Sequence, residues 1–222
     1  MKKELLLFIS SNYDKNRINN ELFENKYNLF DEIKVLNEND LDDYIKPIIN
    51  NIINTYGIRG YGYWIWKPYL ILKELEKLNE GDILVFLNGH CYNNKLKYRF
   101  NEIIKELNKQ DKKLIIPYVG YNDYIFTTTK LKEKIEKLLN YKFTEEEMLS
   151  SQYEAGIVFM KKCDFVVNFY KQYLNIMLDD ISLITDIYND DPNNHKTFMD
   201  NRHDQSVCSL LCKYYHIMLY HY

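Results

Sequence analysis

The sequence predicts an α/β protein in which helices pack on a central sheet. Short apolar runs of strand length, such as residues 83–87 and 157–160, alternate with longer segments whose apolar residues recur at helical spacing. These two runs are continuously apolar, as expected for strands that are covered on both faces. The first run stops at Asn88-Gly89-His90. A strand is therefore expected to deliver a polar loop to its carboxyl end, where α/β proteins bind ligands.

Six strands are predicted from short runs of apolar or loosely alternating residues that end at polar or small residues. They are expected at residues 5–9, 32–36, 83–87, 114–119, 157–160 and 217–220. The run at 5–9 ends at Ser10-Ser11, so these serines are expected at the edge of the sheet that carries the site.

Helices are predicted where apolar residues recur three or four positions apart or where capping residues occur. They are expected at residues 19–27, 48–55, 95–109, 131–139 and 164–178, and from Pro68, Thr144 and His203-Asp204-Gln205-Ser206 onward. Asn39-Asp40 has the pattern of a helix cap for residues 41–45. Pro47 either kinks that helix or begins the next one, which Gly57 ends.

Length and charge favour a single-domain protein and argue against a nucleic-acid-binding protein. The 222 residues are expected to form one domain, residues 1–222, and a formal net charge of −3 with interleaved lysines and acids argues against a nucleic-acid partner. No apolar run approaches the roughly 18 residues that a transmembrane helix needs. Residues 5–9 are too short for the apolar region of a signal peptide, so a cytoplasmic location is expected. The oligomeric state is not determined by the sequence.

Cys208 and Cys212 lie one helical turn apart within an apolar run. Together with His203 and His216 they would suit a zinc ion, but buried free cysteines also behave as small hydrophobic residues, and the second interpretation is favoured.

Two cations flank a pair of glycines. Arg59 and Lys67 stand on either side of Gly60 and Gly62, whose small size lets the backbone approach a ligand, and this arrangement at a helix start suits a diphosphate. The alternative is a surface ion pair or a cation that covers an aromatic ring. The glycine spacing matches neither a dinucleotide fingerprint nor a phosphate-binding P-loop.

Asn88 could offer its side-chain oxygen to a metal or a ribose, although an Asn at a strand end is also a turn former. His203 and Asp204 bring an imidazole and a carboxylate together, which suffices for general-base catalysis, phosphate contact or metal ligation. The alternative for Asp204 is a helix cap. The polar segment 185–202, rich in Asp and Asn, is long for a loop without a function, and an active-site lid is expected there.

Several motifs in order along the chain carry a family resemblance. They are Arg59-Gly60-Tyr61-Gly62-Tyr63-Trp64-Ile65-Trp66-Lys67-Pro68, Gly81-Asp82-Ile83-Leu84, Glu154-Ala155-Gly156-Ile157 and His203-Asp204-Gln205-Ser206. Together they resemble a family of small nucleotide-sugar glycosyltransferases with a GT-A-type fold, found in microbial and large-virus surface glycan gene sets. The resemblance covers most of the chain.

The resemblance implies a GT-A-like (Rossmann-like) fold, with a mixed, mostly parallel central sheet flanked by helices. It implies a nucleotide near Ser10 and Ser11 and a diphosphate near Arg59 and Lys67. Small residues at Ala155 and Gly156 would lie beside the donor sugar.

The family's acidic metal-binding motif, the DXD motif, falls on Asn88-Gly89-His90, where Asn88 replaces the expected Asp. Loss of that carboxylate weakens a site for Mg²⁺ or Mn²⁺, which favour charged oxygen ligands. Asn88, His90 and His203 are the candidate metal ligands, and Asn88 and Gly89 are also expected beside the nucleotide.

The implied function is transfer of a hexose or N-acetylhexosamine from a nucleoside-diphosphate sugar, with UDP as the expected nucleotide, to a hydroxyl of a glycan or glycoconjugate. Asp204 would act as base or position the acceptor. His203, with Lys67 and Arg59, would stabilise the charge of the diphosphate leaving group where the metal is weak. The alternative is a nucleotide-sugar-binding protein that has lost transfer activity and acts as a partner or regulator. A third reading is a structural interaction domain. Donor sugar, acceptor and stereochemical course stay open.

Overall fold

The structure is a computed structural model that describes residues 1–10, 29–88, 94–109, 112–217 and 219–220, of which 94–98 and 219–220 are described by backbone only. The predicted helix at 19–27 and the predicted site residues Ser11, Gly89 and His90 lie outside these ranges.

Strands and helices alternate along the described chain. The strands are β1 (Lys3–Phe8), β2 (Glu32–Leu36), β3 (Ile83–Asn88), β4 (Leu114–Asn122), β5 (Ser151–Tyr153), β6 (Ile157–Lys161) and β7 (Leu219–Tyr220). The helices are α1 (Ile45–Tyr56), α2 (Gly60–Tyr63), α3 (Trp66–Lys77), α4 (Asn94–Leu107), α5 (Asp123–Phe126), α6 (Thr129–Leu139), α7 (Glu145–Leu149), α8 (Asp164–Asp179) and α9 (Asp204–Tyr214). Each predicted strand matches an observed strand within a few residues.

The strands form one mixed sheet in the order β2-β1-β3-β6-β4-β5, with β7 beside β4. β1 pairs in parallel with β2 and β3, and β4 pairs in parallel with β7. β6 is antiparallel to both β3 and β4, and β5 is antiparallel to β4. The expected mixed α/β sheet is confirmed, but half of the pairings between described strands are antiparallel, and the parallel ones dominate only near the first strands.

The sheet is buried on both faces. Because side chains alternate along a strand, Leu84 and Phe86 of β3 join one core cluster, while Ile83, Val85 and Leu87 join the other. Helices α1, α3, α8 and α9 supply the first cluster, and α4 covers the second. This two-sided burial explains why β3 and β6 are continuously apolar in sequence.

The helix that contains Pro47 begins at a different residue from the one predicted. Asn39 and Asp40 lie in a short 3-10 turn capped by Asn37, and α1 begins only at Ile45. The prediction of an α-helix cap at Asn39-Asp40 was wrong, because Asp42 accepts hydrogen bonds from the amides of residues 44 and 45 and starts the helix there (3.1 and 3.3 Å). Pro47 lies in the first turn of α1, where proline is tolerated.

Segment 185–202 contains turns but neither an α-helix nor a β-strand. Its backbone is tied to α5 by hydrogen bonds from Met199 to Ile125 (2.9 Å) and from Arg202 to Phe126 (3.0 Å). Its expected role as a lid stays a prediction. Within the described ranges, none of the helices has the length and apolar content that crossing a bilayer requires.

Candidate functional site

A cavity of about 670 Å³ opens at the carboxyl end of β3. Because β6 is antiparallel to β3, the amino end of β6 lies beside the carboxyl end of β3, and the Asn88 amide donates to the Gly156 carbonyl (2.8 Å). The cavity is lined by six residues predicted from the sequence, namely Arg59, Lys67, Asn88, Gly156, His203 and Asp204. The structure therefore brings together residues from four distant motifs.

A left-handed turn forms one wall of the cavity. The five residues from Gly60 to Trp64 all have positive φ, between 50° and 83°, so the short element α2 is a left-handed turn and not a regular α-helix. This conformation costs non-glycine residues about 1–2 kcal/mol each. Two hydrogen bonds to residues outside the turn stabilise it. The Trp66 indole donates to the Gly60 carbonyl (3.0 Å), and the Tyr63 hydroxyl donates to the Tyr56 carbonyl (3.0 Å). The turn directs Trp64 and Arg59 to the cavity wall.

Lys67 and Asp204 form a buried ion pair at the back of the cavity. Their side chains are 3% and 4% exposed, and the ammonium group donates to Oδ2 of the carboxylate. The Tyr173 hydroxyl donates to the same oxygen (3.0 Å). Burial and the Asp204 charge raise the pKa of Tyr173 well above its ordinary value, so its hydroxyl stays a donor. The pair joins the first turns of α3 and α9 and leaves no net charge on the two side chains.

Arg59 bridges two carboxylates of segment 185–202. Its guanidinium lies 2.9 Å from Oδ1 of Asp186 and 3.0 Å from Oδ2 of Asp200. Partial burial acts to lower the pKa of Arg59, but the hydrogen bond to Asp200 and the charge of Asp186 outweigh it, and the pKa is raised. The ion pair that the sequence left open for Arg59 is thus formed, and it fastens the left-handed turn to the polar segment.

His203 presents an unused nitrogen. Its Nδ1 lies 2.8 Å from the Ile184 carbonyl, which can only accept, so Nδ1 carries the proton in the neutral ring. Its Nε2 is buried and has no hydrogen-bond partner among the described residues; the nearest carboxylate oxygen, from Asp186, is 3.7 Å away. Burial, aided by the charge of Arg59, lowers the pKa of His203 below its ordinary value of 6.5. The ring is therefore neutral at pH 7, with a lone pair on Nε2.

His203 also has an unusual backbone, with φ 55° and ψ −120°. The buried Asn201 stabilises it, since its Oδ1 accepts from the His203 amide (3.2 Å) while its Nδ2 donates to the carbonyls of Leu183 and Thr185 (both 3.1 Å). The imidazole stacks on Trp64, with ring centroids 5.5 Å apart. Backbone strain of this kind is common at functional sites.

A buried network sets the orientation of Gln205, another lining residue. The Gln152 amide nitrogen donates to the Asp123 carboxylate (3.0 Å), so the Gln152 oxygen is left to accept from Gln205 (2.7 Å). Gln205 must donate through its nitrogen, and its oxygen is left as an acceptor for another group.

Two of the predicted site residues that the structure describes do not line the cavity. Ser10 is half-buried after β1, and Ala155 is buried. Among the described residues, six others that line the cavity were not predicted from the sequence, namely Val119, Tyr121, Phe126, Met199, Asp200 and Arg202. The last three belong to the segment that was predicted as a lid, whereas nothing in the local sequence marked the others, which come from β4 and α5.

The residues described do not by themselves form a metal site. Among them no three His, Cys, Asp or Glu side chains come together as ligands. Cys208 and Cys212 are buried in the core between α9 and its neighbours. Asn88 contributes only a neutral oxygen, and His90 lies outside the described residues.

A scan of the chain against protein-family models matched none of them, and searches of curated proteins and of solved structures found no significant similarity.

Proposed function

We propose that the protein is a glycosyltransferase with a GT-A-like fold, which transfers a hexose or N-acetylhexosamine from a nucleoside-diphosphate sugar, with UDP as the first nucleotide to test, to a hydroxyl of a glycan or glycoconjugate. The observation that carries the proposal is the cavity at the carboxyl end of β3, which collects Arg59, Lys67, Asn88, Gly156, His203 and Asp204. Its volume is within the range of about 300–1,000 Å³ that is typical of small-molecule sites.

The lining residues suit the chemistry of this reaction. As the acceptor oxygen bonds to the anomeric carbon, the bond to the diphosphate breaks and its electron pair leaves with the diphosphate. Cations near that group, Arg59 and Lys67, would stabilise the developing charge. The proton of the acceptor hydroxyl would pass to Nε2 of His203, which carries a lone pair. Asp204, tied to Lys67 and Tyr173, would position the acceptor.

A nucleotide-sugar-binding protein without transfer activity is the second candidate. Two observations favour it. The first is that Oδ2 of the buried Asp204 carboxylate already accepts hydrogen bonds from Lys67 and Tyr173, so this side chain is engaged in a structural ion pair. The second is that Asn88, at the end of β3, offers only a neutral oxygen where a metal ion would favour a carboxylate, which also supports a protein without transfer activity.

Two measurements distinguish the candidates. Calorimetry with a panel of nucleoside diphosphates, with and without Mn²⁺, tests binding, and release of free nucleotide from several sugar donors tests transfer. Binding with release supports the enzyme, and binding without release supports the binding protein. If no nucleotide binds, both candidates are wrong and an interaction domain is left.

Asn88→Asp tests whether this residue faces a metal ion. The added carboxylate should increase the effect of Mn²⁺ on nucleotide affinity, because hard cations favour charged oxygen ligands. Calorimetric titration of wild type and variant with UDP, each with and without Mn²⁺, provides the measurement. Unchanged metal dependence would mean that Asn88 does not contact a metal.

A further inference from the structure

Among the described residues, three cations line the cavity, and they differ in how far nearby carboxylates neutralise their charge. Arg59 contacts two carboxylates, and Lys67 contacts one that is buried with it. Arg202 lines the same cavity, yet no carboxylate of the described residues lies within 4 Å of its guanidinium. An anion entering the cavity would have to compete with Asp186 and Asp200 for Arg59, and with Asp204 for Lys67. At Arg202 it meets no such competitor from the part of the chain that the structure describes.

The position of Arg202 is set by its own contacts. Its amide donates to the Phe126 carbonyl (3.0 Å), and its guanidinium carbon lies 4.1 Å from the centre of the Phe126 ring. Stacking on an aromatic face uses the flat side of a guanidinium and leaves its N–H edge available, and that edge matches two oxygens of a phosphate or carboxylate. The side chain is exposed, so it holds this position at the cavity without being part of the core.

We propose that Arg202 is the primary anchor for the anionic group of the ligand, and that the group is a phosphate or diphosphate. This inference rests on the proposed function for the identity of the ligand, and it adds a residue that neither the cation pair around the glycines nor the motif at 203–206 had indicated. Arg59 and Lys67 then act as secondary cations, whose contribution requires a rearrangement of their ion pairs.

The test is calorimetry of the full chain with three probes, UDP, inorganic pyrophosphate and uridine. Arg202→Gln should weaken binding of UDP and pyrophosphate by about 10- to 100-fold, the loss expected for a charge-assisted hydrogen-bonded pair. Uridine, which lacks phosphate, should bind the variant and wild type alike. Arg202→Lys, which keeps the charge but not the planar edge, should be intermediate.

Lys196→Gln is the matched control. Lys196 belongs to the same polar segment, is exposed and does not line the cavity, so its removal changes the net charge equally. Its effect on UDP affinity should stay within about twofold, as expected for a screened surface charge. Thermal unfolding of Arg202→Gln checks that the fold is retained.

The outcomes separate this inference from the proposed function. Equal UDP affinity in Arg202→Gln and wild type would overturn the role of Arg202 and leave the glycosyltransferase proposal standing. Wild type that binds UDP through Arg202 but releases no nucleotide from sugar donors would support the anchor and contradict only the enzyme. Wild type that binds neither pyrophosphate nor any nucleoside diphosphate of the panel would overturn both.

Discussion

His203 shows how much of the site depends on the environment of one residue. Its strained backbone is stabilised by Asn201, its ring stacks on Trp64, and its proton is held on Nδ1 by the Ile184 carbonyl. Asn201 lies two residues away in the chain, whereas Ile184 and Trp64 are more distant in sequence. Together they present a neutral Nε2 in a buried setting, which is the form of histidine that can accept a proton.

A pH-dependent contribution to stability follows from the lowered pKa of His203. The unfolded chain binds a proton more readily than the folded one, so this contribution is complete above the ordinary pKa of 6.5 and is lost as pH falls through that value toward the lowered pKa. The free energy of unfolding, from urea titrations at pH 7.5 and 5.5, should therefore fall more in wild type than in His203→Asn.

The control for that comparison is His216→Asn. His216 is an exposed histidine that also has positive φ (52°), so it reports the cost of the substitution without the buried ring. Equal pH dependence in wild type and His203→Asn would contradict the buried neutral state of His203.

At the scale of elements, two helix starts meet at the cavity. The first turn of α3 supplies Lys67 and the first turn of α9 supplies Asp204, and their ion pair connects residues 137 positions apart. The left-handed turn that precedes α3 sets the direction in which that helix begins. The Lys67–Asp204 ion pair and the left-handed turn thus connect the aromatic segment 59–68 to helix α9.

Removing one partner of the Lys67–Asp204 pair should be costly. Lys67→Met leaves a buried carboxylate without its cation, which typically costs about 3–5 kcal/mol of the free energy of unfolding. The double variant Lys67→Met/Asp204→Asn should lose less than the sum of the single variants, because it leaves no unpaired charge. Urea unfolding of the four proteins measures the coupling.

Lys109→Met provides the comparison, since Lys109 pairs with Glu106 at the surface and is 59% exposed. Its effect on stability should be small. Additive effects of the Lys67 and Asp204 substitutions would show that the two charges do not depend on each other.

Gly60→Ala should disturb the left-handed turn. A Cβ at this position would lie 2.4 Å from the Trp64 ring, so the indole would have to move away from the cavity wall. We expect a loss of about 1–3 kcal/mol in the free energy of unfolding, as for other overpacked sites, and weaker UDP binding.

Gly57→Ala separates backbone strain from this clash. Gly57 also has positive φ (102°), but nothing lies within 4 Å of a Cβ built there. It should destabilise the protein through strain and leave UDP affinity unchanged. Loss of affinity in Gly57→Ala equal to that in Gly60→Ala would contradict a specific role for the position of Trp64.

At the scale of the whole molecule, many charged side chains of the described residues form ion pairs or accept hydrogen bonds. Partners lower the pKa of several carboxyl groups below the ordinary values, namely those of Glu32, Asp42, Glu74, Asp82, Glu106, Glu136, Glu147 and Asp191. In Glu136, burial acts to raise the pKa, but hydrogen bonds from Lys132 and Lys142 outweigh it. Glu4 is the opposite case, since burial raises its pKa.

Acid should therefore destabilise the protein. A carboxyl group with a lowered folded pKa contributes stability that is present above its unfolded pKa and is lost as pH falls through the folded value. The unfolding temperature should decline below about pH 5, near the ordinary carboxyl pKa values. Glu136→Gln should start less stable and lose less between pH 6 and pH 3. A constant or rising unfolding temperature over that range would contradict the prediction.

Much of the fold follows from local sequence. The continuous apolar runs of β3 and β6 predicted buried strands, and Gly57 and the capping box at Thr144 predicted helix ends that the structure contains. The missed elements, α2, β5 and α5, are four, three and four residues long. Segments of that length are too short to show a periodic pattern of apolar residues, and their conformation depends on the residues that they pack against.

The sequence alone determined that strands and helices alternate, that the central strands are covered on both faces, and that cationic, aromatic and polar motifs stand at their ends. Local patterns of burial and capping carry that information. Only the tertiary structure decided that β6 runs against β3 and brings Gly156 to Asn88, that Lys67 and Arg59 are already paired with carboxylates, and that Arg202 is not, among the residues described. Pairing of charges depends on distance in space, and residues far apart in the chain meet only once the sheet and its helices have been assembled.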